Sequence, residues 1–189
     1  MPPITETFYP HTREAWHLWL SQNHQNKKEI WLLYPHKNTG LPGIAYPDAV
    51  QEAICFGWID GQRRKFNEKF SCQRWTPRSA VSSWSELNKH LARLALNKGM
   101  MTPAGLKTLP DLNPNTFAIP PLLLQELKKD TRVWKHFCAF PSHYQRIRLD
   151  YIIRRMNRPA LYKKTLEHFI KQTRAGKRYG PFKDSPDIY

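Results

Sequence analysis

Acidic residues are scarce in this chain of 189 residues: 15 Asp and Glu stand against 30 Lys and Arg, a formal net charge of +15. Cysteine is scarcer still. Cys55, Cys72 and Cys138 show no paired spacing. That argues against a disulfide scaffold or a C-x-x-C motif and fits free, mostly buried thiols in a reducing compartment. Cys55 lies on an apolar helical stretch with no histidine near in sequence, a poor setting for a nucleophile. The 8 histidines form neither H-E-x-x-H nor any other metal spacing, so neither metal nor cofactor is expected. A glycine-rich phosphate loop and a G-x-S-x-G elbow are also missing. No apolar run approaches the roughly 20 residues that span a bilayer, so no transmembrane segment is expected. The opening MPPITETFY has neither the basic nor the apolar region of a signal peptide, which makes the cytoplasm the default expectation.

What is present is unevenly placed. Residues 1–60 carry 4 Lys/Arg and 6 Asp/Glu, residues 61–110 carry 10 and 2, and residues 111–189 carry 16 and 7. Such asymmetry points to a polyanion partner for the later blocks, either nucleic acid or an anionic envelope component. Simple solubility is the competing reading. An aromatic share of 13% supplies ample core material, and the length suits one domain with or without a helical appendage.

The stretch from Cys55 to Asn88 organises the chain. It reads as the end of a buried helix, a two-stranded hairpin turning at Asn67-Glu68, and the start of another helix. Before it, Thr12 can cap a helix to about Ser21. The run Glu29 to Tyr34 has the length and composition of a strand buried on both faces. Pro47 and Asp48 suit the first turn of a helix that Gly57 ends. Alternation in the second hairpin arm sets Phe70, Cys72, Arg74 and Thr76 on one face, with Ser71, Gln73 and Trp75 on the other. Ser83 to Glu86 has the spacing of a capping box, and Thr102-Pro103 can start a short helix. Four helices are predicted beyond, at about 120–128, 130–138, 142–157 and 159–174. The fold expected is therefore α+β: a small antiparallel sheet with a central hairpin packed by helices, then a C-terminal helical segment. The boundaries expected are a core domain over 1–110, a linker at 111–120, a helical region at 121–175 and a flexible tail at 176–189.

Three sets of residues invite a functional reading. Asp60 stands among basic positions and can face Arg74 or Arg63, as a proton acceptor or as the orienting partner of an arginine. A structural ion pair that fixes the hairpin is the favoured alternative. Trp58, Trp75 and Trp84 with Arg74, Arg78 and Asn88 can line a pocket for a planar or phosphorylated ligand. The alternative is a tryptophan-rich core whose indole N–H groups bond locally. Arg148, Tyr151, Arg155 and Arg158 recur at steps of three and four, and with Arg63 and Arg64 they are candidates for polyanion binding. Against them stands an ordinary solvated face opposite the apolar stripe Leu149, Ile152, Ile153 and Met156.

The middle of the chain resembles a known family. The words that carry the likeness are Glu52 to Gly61 (EAICFGWIDG), Gln73 to Arg78 (QRWTPR), Ser82 to Asn88 (SSWSELN) and Gly99 to Gly105 (GMMTPAG). In order, they resemble the bacteriocin-protection, YdeI/OmpD-associated family. The likeness is weaker near Asn157 to Thr165, where the family has a basic helical pair. The resemblance implies a small bacterial α+β protein without a known cofactor, linked to protection against antimicrobial peptides and to an outer-membrane porin as partner. It supplies neither a reaction nor catalytic residues. The expectation is a basic, non-enzymatic binding protein of stress or bacteriocin resistance. The competing reading is a small-molecule enzyme with a pocket around Asp60, Arg74 and Trp84.

Overall fold

The computed structural model describes residues 3–180. The expected tail beyond residue 180 lies outside the described residues. The chain divides into two compact units, one of Met1–Ser83 with Leu91–Pro110 and one of Trp84–His90 with Asp111–Tyr189.

The first unit is built on a four-stranded sheet of order β1-β2-β4-β3, with β1 at Thr7–Phe8, β2 at Ile30–Pro35, β3 at Trp58–Lys65 and β4 at Phe70–Pro77. β2, β4 and β3 are antiparallel neighbours, as expected. β1 comes from the proline-rich lead-in and pairs parallel with β2, so the sheet is mixed. The hairpin turns where its chemistry demands: the Asn67 carboxamide oxygen accepts from the N–H groups of Lys69 and Phe70 at 2.8 and 2.9 Å.

Two helices follow their sequence signals. In α1 (Arg13–Asn23), Thr12 caps the Ala15 N–H at 3.2 Å. In α2 (Tyr46–Cys55), Pro47 occupies the first turn and Gly57 follows at φ 74°. They bury Trp16, Leu20, Ala49, Ala53 and Ile54, and the unit's core includes Ile30, Leu32, Trp58 and Trp75. The indoles anchor themselves locally. Trp16 donates to the Ala49 carbonyl at 3.1 Å, Trp58 donates to the His24 carbonyl at 3.3 Å, and the Trp16 and Trp75 rings lie 5.8 Å apart.

A short helix, α4 (Pro103–Leu106), closes on the end of α2. Thr102 caps it through the Gly105 N–H and donates its own hydroxyl to the Cys55 carbonyl at 2.7 Å. A β-carbon at Gly105 would stand 2.2 Å from that carbonyl oxygen, so only glycine permits this approach. The word GMMTPAG therefore has a packing role.

Helix α3 (Glu86–Asn97) starts later than its capping-box spacing predicts. Ser85, not Ser83, accepts from the Asn88 N–H at 3.1 Å. Glu86 is taken up elsewhere: its carboxylate lies 3.5 Å from Arg146 and 3.3 Å from Lys89. It cannot reach back as a capping-box acceptor while it holds those cations.

The second unit is helical: α5 (Pro121–Lys128), α6 (Thr131–Ala139), α7 (Ser142–Ile153) and α8 (Pro159–Arg174). Its core joins Leu123, Leu127, Val133, Phe137, Leu149, Ile152, Leu166 and Phe169. Phe117 and Ile119 of the expected linker pack against this core. Tyr179 also reaches it, and its backbone N–H donates to the Tyr144 hydroxyl at 3.0 Å. Helix α7 ends at Ile153 rather than 157, and Met156 is 42% exposed. The predicted stripe stops there because the chain turns through Arg154 to Arg158 ahead of Pro159, whose ring keeps the preceding residue out of helical geometry.

Candidate functional site

The hairpin brings polar groups together near a β-bulge. Pairing runs from Trp58↔Pro77 through Asp60↔Trp75, then shifts before Arg63↔Gln73. The extra residues lie between Asp60 and Arg63, and the bulge aims the Asp60 carboxylate at the start of α2. There the Tyr46 hydroxyl donates to Asp60 Oδ2 at 2.9 Å, and the buried Gln73 amide donates to the same oxygen at 3.2 Å. Gln73 also donates to the Gly61 carbonyl at 3.0 Å, which pins the bulge. Arg63 is exposed; it donates to the Ser71 hydroxyl at 2.8 Å and lies 5.5 Å from the centre of the Tyr34 ring.

The electrostatics of this cluster follow from burial and from its one carboxylate. Burial pushes the Tyr34 phenol far above its ordinary value, with the Tyr46 phenol beside it adding to the effect. The Tyr46 phenol is also raised, by burial and then by the Asp60 charge. Both phenols are therefore neutral at pH 7, and that of Tyr46 donates to Asp60. Arg78 is brought down to about 10 by burial, against the Asp60 charge that favours its cationic form. Burial lifts the Cys55 thiol to about 12 and raises that of Cys72, so neither is a thiolate near pH 7. The arrangement holds one anion with neutral donors. It positions groups rather than activating a nucleophile.

The predicted site residues separate on folding. Asp60 directs its hydrogen bonds to Tyr46 and Gln73, not to an arginine. Arg74 points from the opposite face of β4, where its Nε donates to Glu29 at 2.6 Å. Trp58 and Trp75 are core residues, and Arg78 is 8% exposed, with its backbone N–H on the Gly57 carbonyl at 2.8 Å. Arg64 lays its guanidinium 4.5 Å from the Trp31 ring centre. Of the expected wall of tryptophan and arginine, Trp58, Trp75 and Arg78 are thus packed away, while Arg74 stays half-buried. Trp84 and Asn88 belong to the second unit. There the Trp84 carbonyl accepts from Arg154 at 2.7 Å.

The C-terminal candidates also differ from one another. Arg148 is buried, with its guanidinium 5.6, 5.9 and 5.2 Å from the rings of Tyr144, Tyr151 and Tyr179. Arg155 and Arg158 follow the end of α7, so the expected single helical face is broken. Tyr151 and Arg158 are exposed, and Arg155 covers the Tyr151 ring at 3.3 Å. Sequence reasoning missed Tyr46 as a partner of Asp60 and Tyr34 as the ring beside Arg63. Gln73 was assigned to the correct face by alternation, but nothing in the local pattern joined Tyr46 to Asp60.

Among the described residues no group of three His, Cys, Asp or Glu could hold a metal ion, and no helix is long and apolar enough to cross a membrane. Neither a curated protein nor a solved structure matches the chain. Residues 8–108 match a family described as a domain of unknown function, DUF8412. Residues 116–176 match the family described as Bacteriocin-protection, YdeI or OmpD-Associated. The family read from the sequence is therefore borne out, but its match lies on the C-terminal helices, and the central words that suggested it fall inside the other family's match. The chain belongs to the DUF8412 family, whose model covers more than half of it, and its C-terminal helices are similar to the bacteriocin-protection, YdeI/OmpD-associated family.

Proposed function

We propose that this is a basic, non-enzymatic binding protein of bacteriocin protection, and that its C-terminal helical unit engages an anionic partner. One observation carries the reading. Arg132, Lys135, Arg158, Lys163, Lys164 and Lys171 are exposed and have no acidic partner among the described residues. Residues 111–189 hold 16 Lys and Arg against 7 Asp and Glu. The hairpin arginines are mostly engaged inside the first unit, which moves the weight of the proposal to the helices. The family name on residues 116–176 supplies the link to bacteriocin protection. A chain of net charge +15 repels cationic peptides, so protection acts through an anionic component and not by sequestering the peptide.

Retention on immobilised heparin as a function of salt tests this. The protein is expected to bind at about 50 mM salt and to elute steeply as salt rises. The variant Lys163→Glu/Lys164→Glu/Lys171→Glu is expected to elute much earlier with its melting temperature unchanged. Absence of retention at low salt, or a triple variant that elutes with the parent protein, refutes the reading.

A further inference from the structure

The turn from α7 into α8 combines a run of basic residues with exposed apolar side chains. Residues 151–164 carry Arg154, Arg155, Arg158, Lys163 and Lys164 and no acid. In the same stretch Tyr151, Met156 and Leu161 are 45%, 42% and 40% exposed. The apolar side chains are not strays from a helical stripe turned the wrong way. Ile152 and Leu166 are buried in the unit's core, and Ile153 and Tyr162 pack against it. Met156 and Leu161 are not part of that core and stay exposed to solvent. The turn itself is held by backbone bonds from Arg155 to the Ile152 carbonyl, Met156 to Ile153 and Arg158 to Arg155, at 2.9, 3.0 and 2.8 Å.

We propose that this turn is a seat for an anionic lipid bilayer surface, with Met156 and Leu161 entering the headgroup boundary and Arg158, Lys163 and Lys164 meeting lipid phosphates. The inference rests on the anionic-partner reading above and names the partner. Exposed apolar side chains interspersed with cations are what an interfacial contact requires: the aliphatic groups leave water while the long basic side chains stay at the phosphate level. Tyrosine suits the same depth. Nucleic acid fits less well. The one exposed aromatic ring of the stretch, Tyr151, already carries Arg155 at 3.3 Å over its face, and Met156 and Leu161 give a base no ring to stack on. Arg154 serves the scaffold instead, bonded to Asp150 at 2.8 Å and to the Trp84 carbonyl.

Co-sedimentation with vesicles decides the matter, run beside the heparin assay. The full chain is expected to pellet with vesicles of equal parts phosphatidylglycerol and phosphatidylcholine and to stay in solution with phosphatidylcholine alone. Met156→Ser/Leu161→Ser is expected to weaken vesicle binding about tenfold while heparin elution and melting temperature stay unchanged. Binding by that double variant at the parent level overturns the proposal. So does heparin retention without vesicle binding, which leaves the broader anionic-partner reading standing and turns attention to nucleic acid. Failure to bind either heparin or vesicles removes both.

Discussion

At the scale of single residues, the Asp60 cluster and the buried phenols give the sharpest consequences. Asp60→Ala takes the acceptor from both Tyr46 and Gln73, and we expect a loss of about 2 kcal/mol in urea unfolding. Asp60→Asn keeps one carbonyl acceptor and is expected to lose less. Equal losses would mean that the charge, not the hydrogen bonds, holds the bulge. The phenols set an alkaline limit. The phenols of Tyr34 and Tyr46 are pushed up by burial, and that of Tyr179 is pushed up to about 12. In the unfolded chain they ionise near about 10. Between those values the unfolded state gives up protons that the folded state keeps, so stability falls as pH rises above about 10. Absorbance titration should show at least Tyr34, Tyr46 and Tyr179, of the eight tyrosines, ionising later than the rest; eight that titrate together near 10 would contradict the burial.

Element by element, glycine and threonine carry constraints that larger residues only accept. Gly105→Ala would place a methyl group against the Cys55 carbonyl, and a destabilisation of about 2–3 kcal/mol is expected. Thr102→Ala removes both a cap and a bond to the same carbonyl, at about 1–2 kcal/mol. Chemical denaturation of the two variants measures this directly, and a neutral Gly105→Ala would show that α4 does not press on α2. The helices themselves were legible because their signals are local. Thr12 as cap, Pro47 in a first turn and Gly57 past an end need no distant partner. The cap of α3 was misread because Glu86 answers to Arg146, a residue 60 positions away in the chain.

For the molecule as a whole, charge is the property with measurable reach. If the six exposed cations of the helical unit each neutralise a phosphate or sulfate, the logarithm of affinity should fall against the logarithm of salt with a slope of about −4 to −5. A slope near zero would leave the net charge as a solubility feature. Acid should act at other points. Glu29 is held below its ordinary value by the Thr5 hydroxyl and by Arg74, and Asp130 by the Val133 N–H and then by Arg174. Both contribute stability that is present above the unfolded carboxylate range and lost as pH falls through the lower folded values. Melting temperature should therefore hold from neutral pH to about 5 and decline below about 4.

Composition, periodicity and turn residues alone determined the α+β class, the hairpin and its face alternation, and the four helices beyond residue 120. These are set by interactions a few residues apart or by burial patterns that every strand and helix repeats. Tertiary structure alone decided which charges stay available. Whether Arg74 meets Asp60 or Glu29 depends on which face its strand turns outward and on what packs there. Whether Arg148 meets solvent depends on Tyr144 and Tyr179. Opposite charges and rings brought together from distant parts of the chain leave no mark in the sequence, so the free cations could be identified only once those contacts were in place.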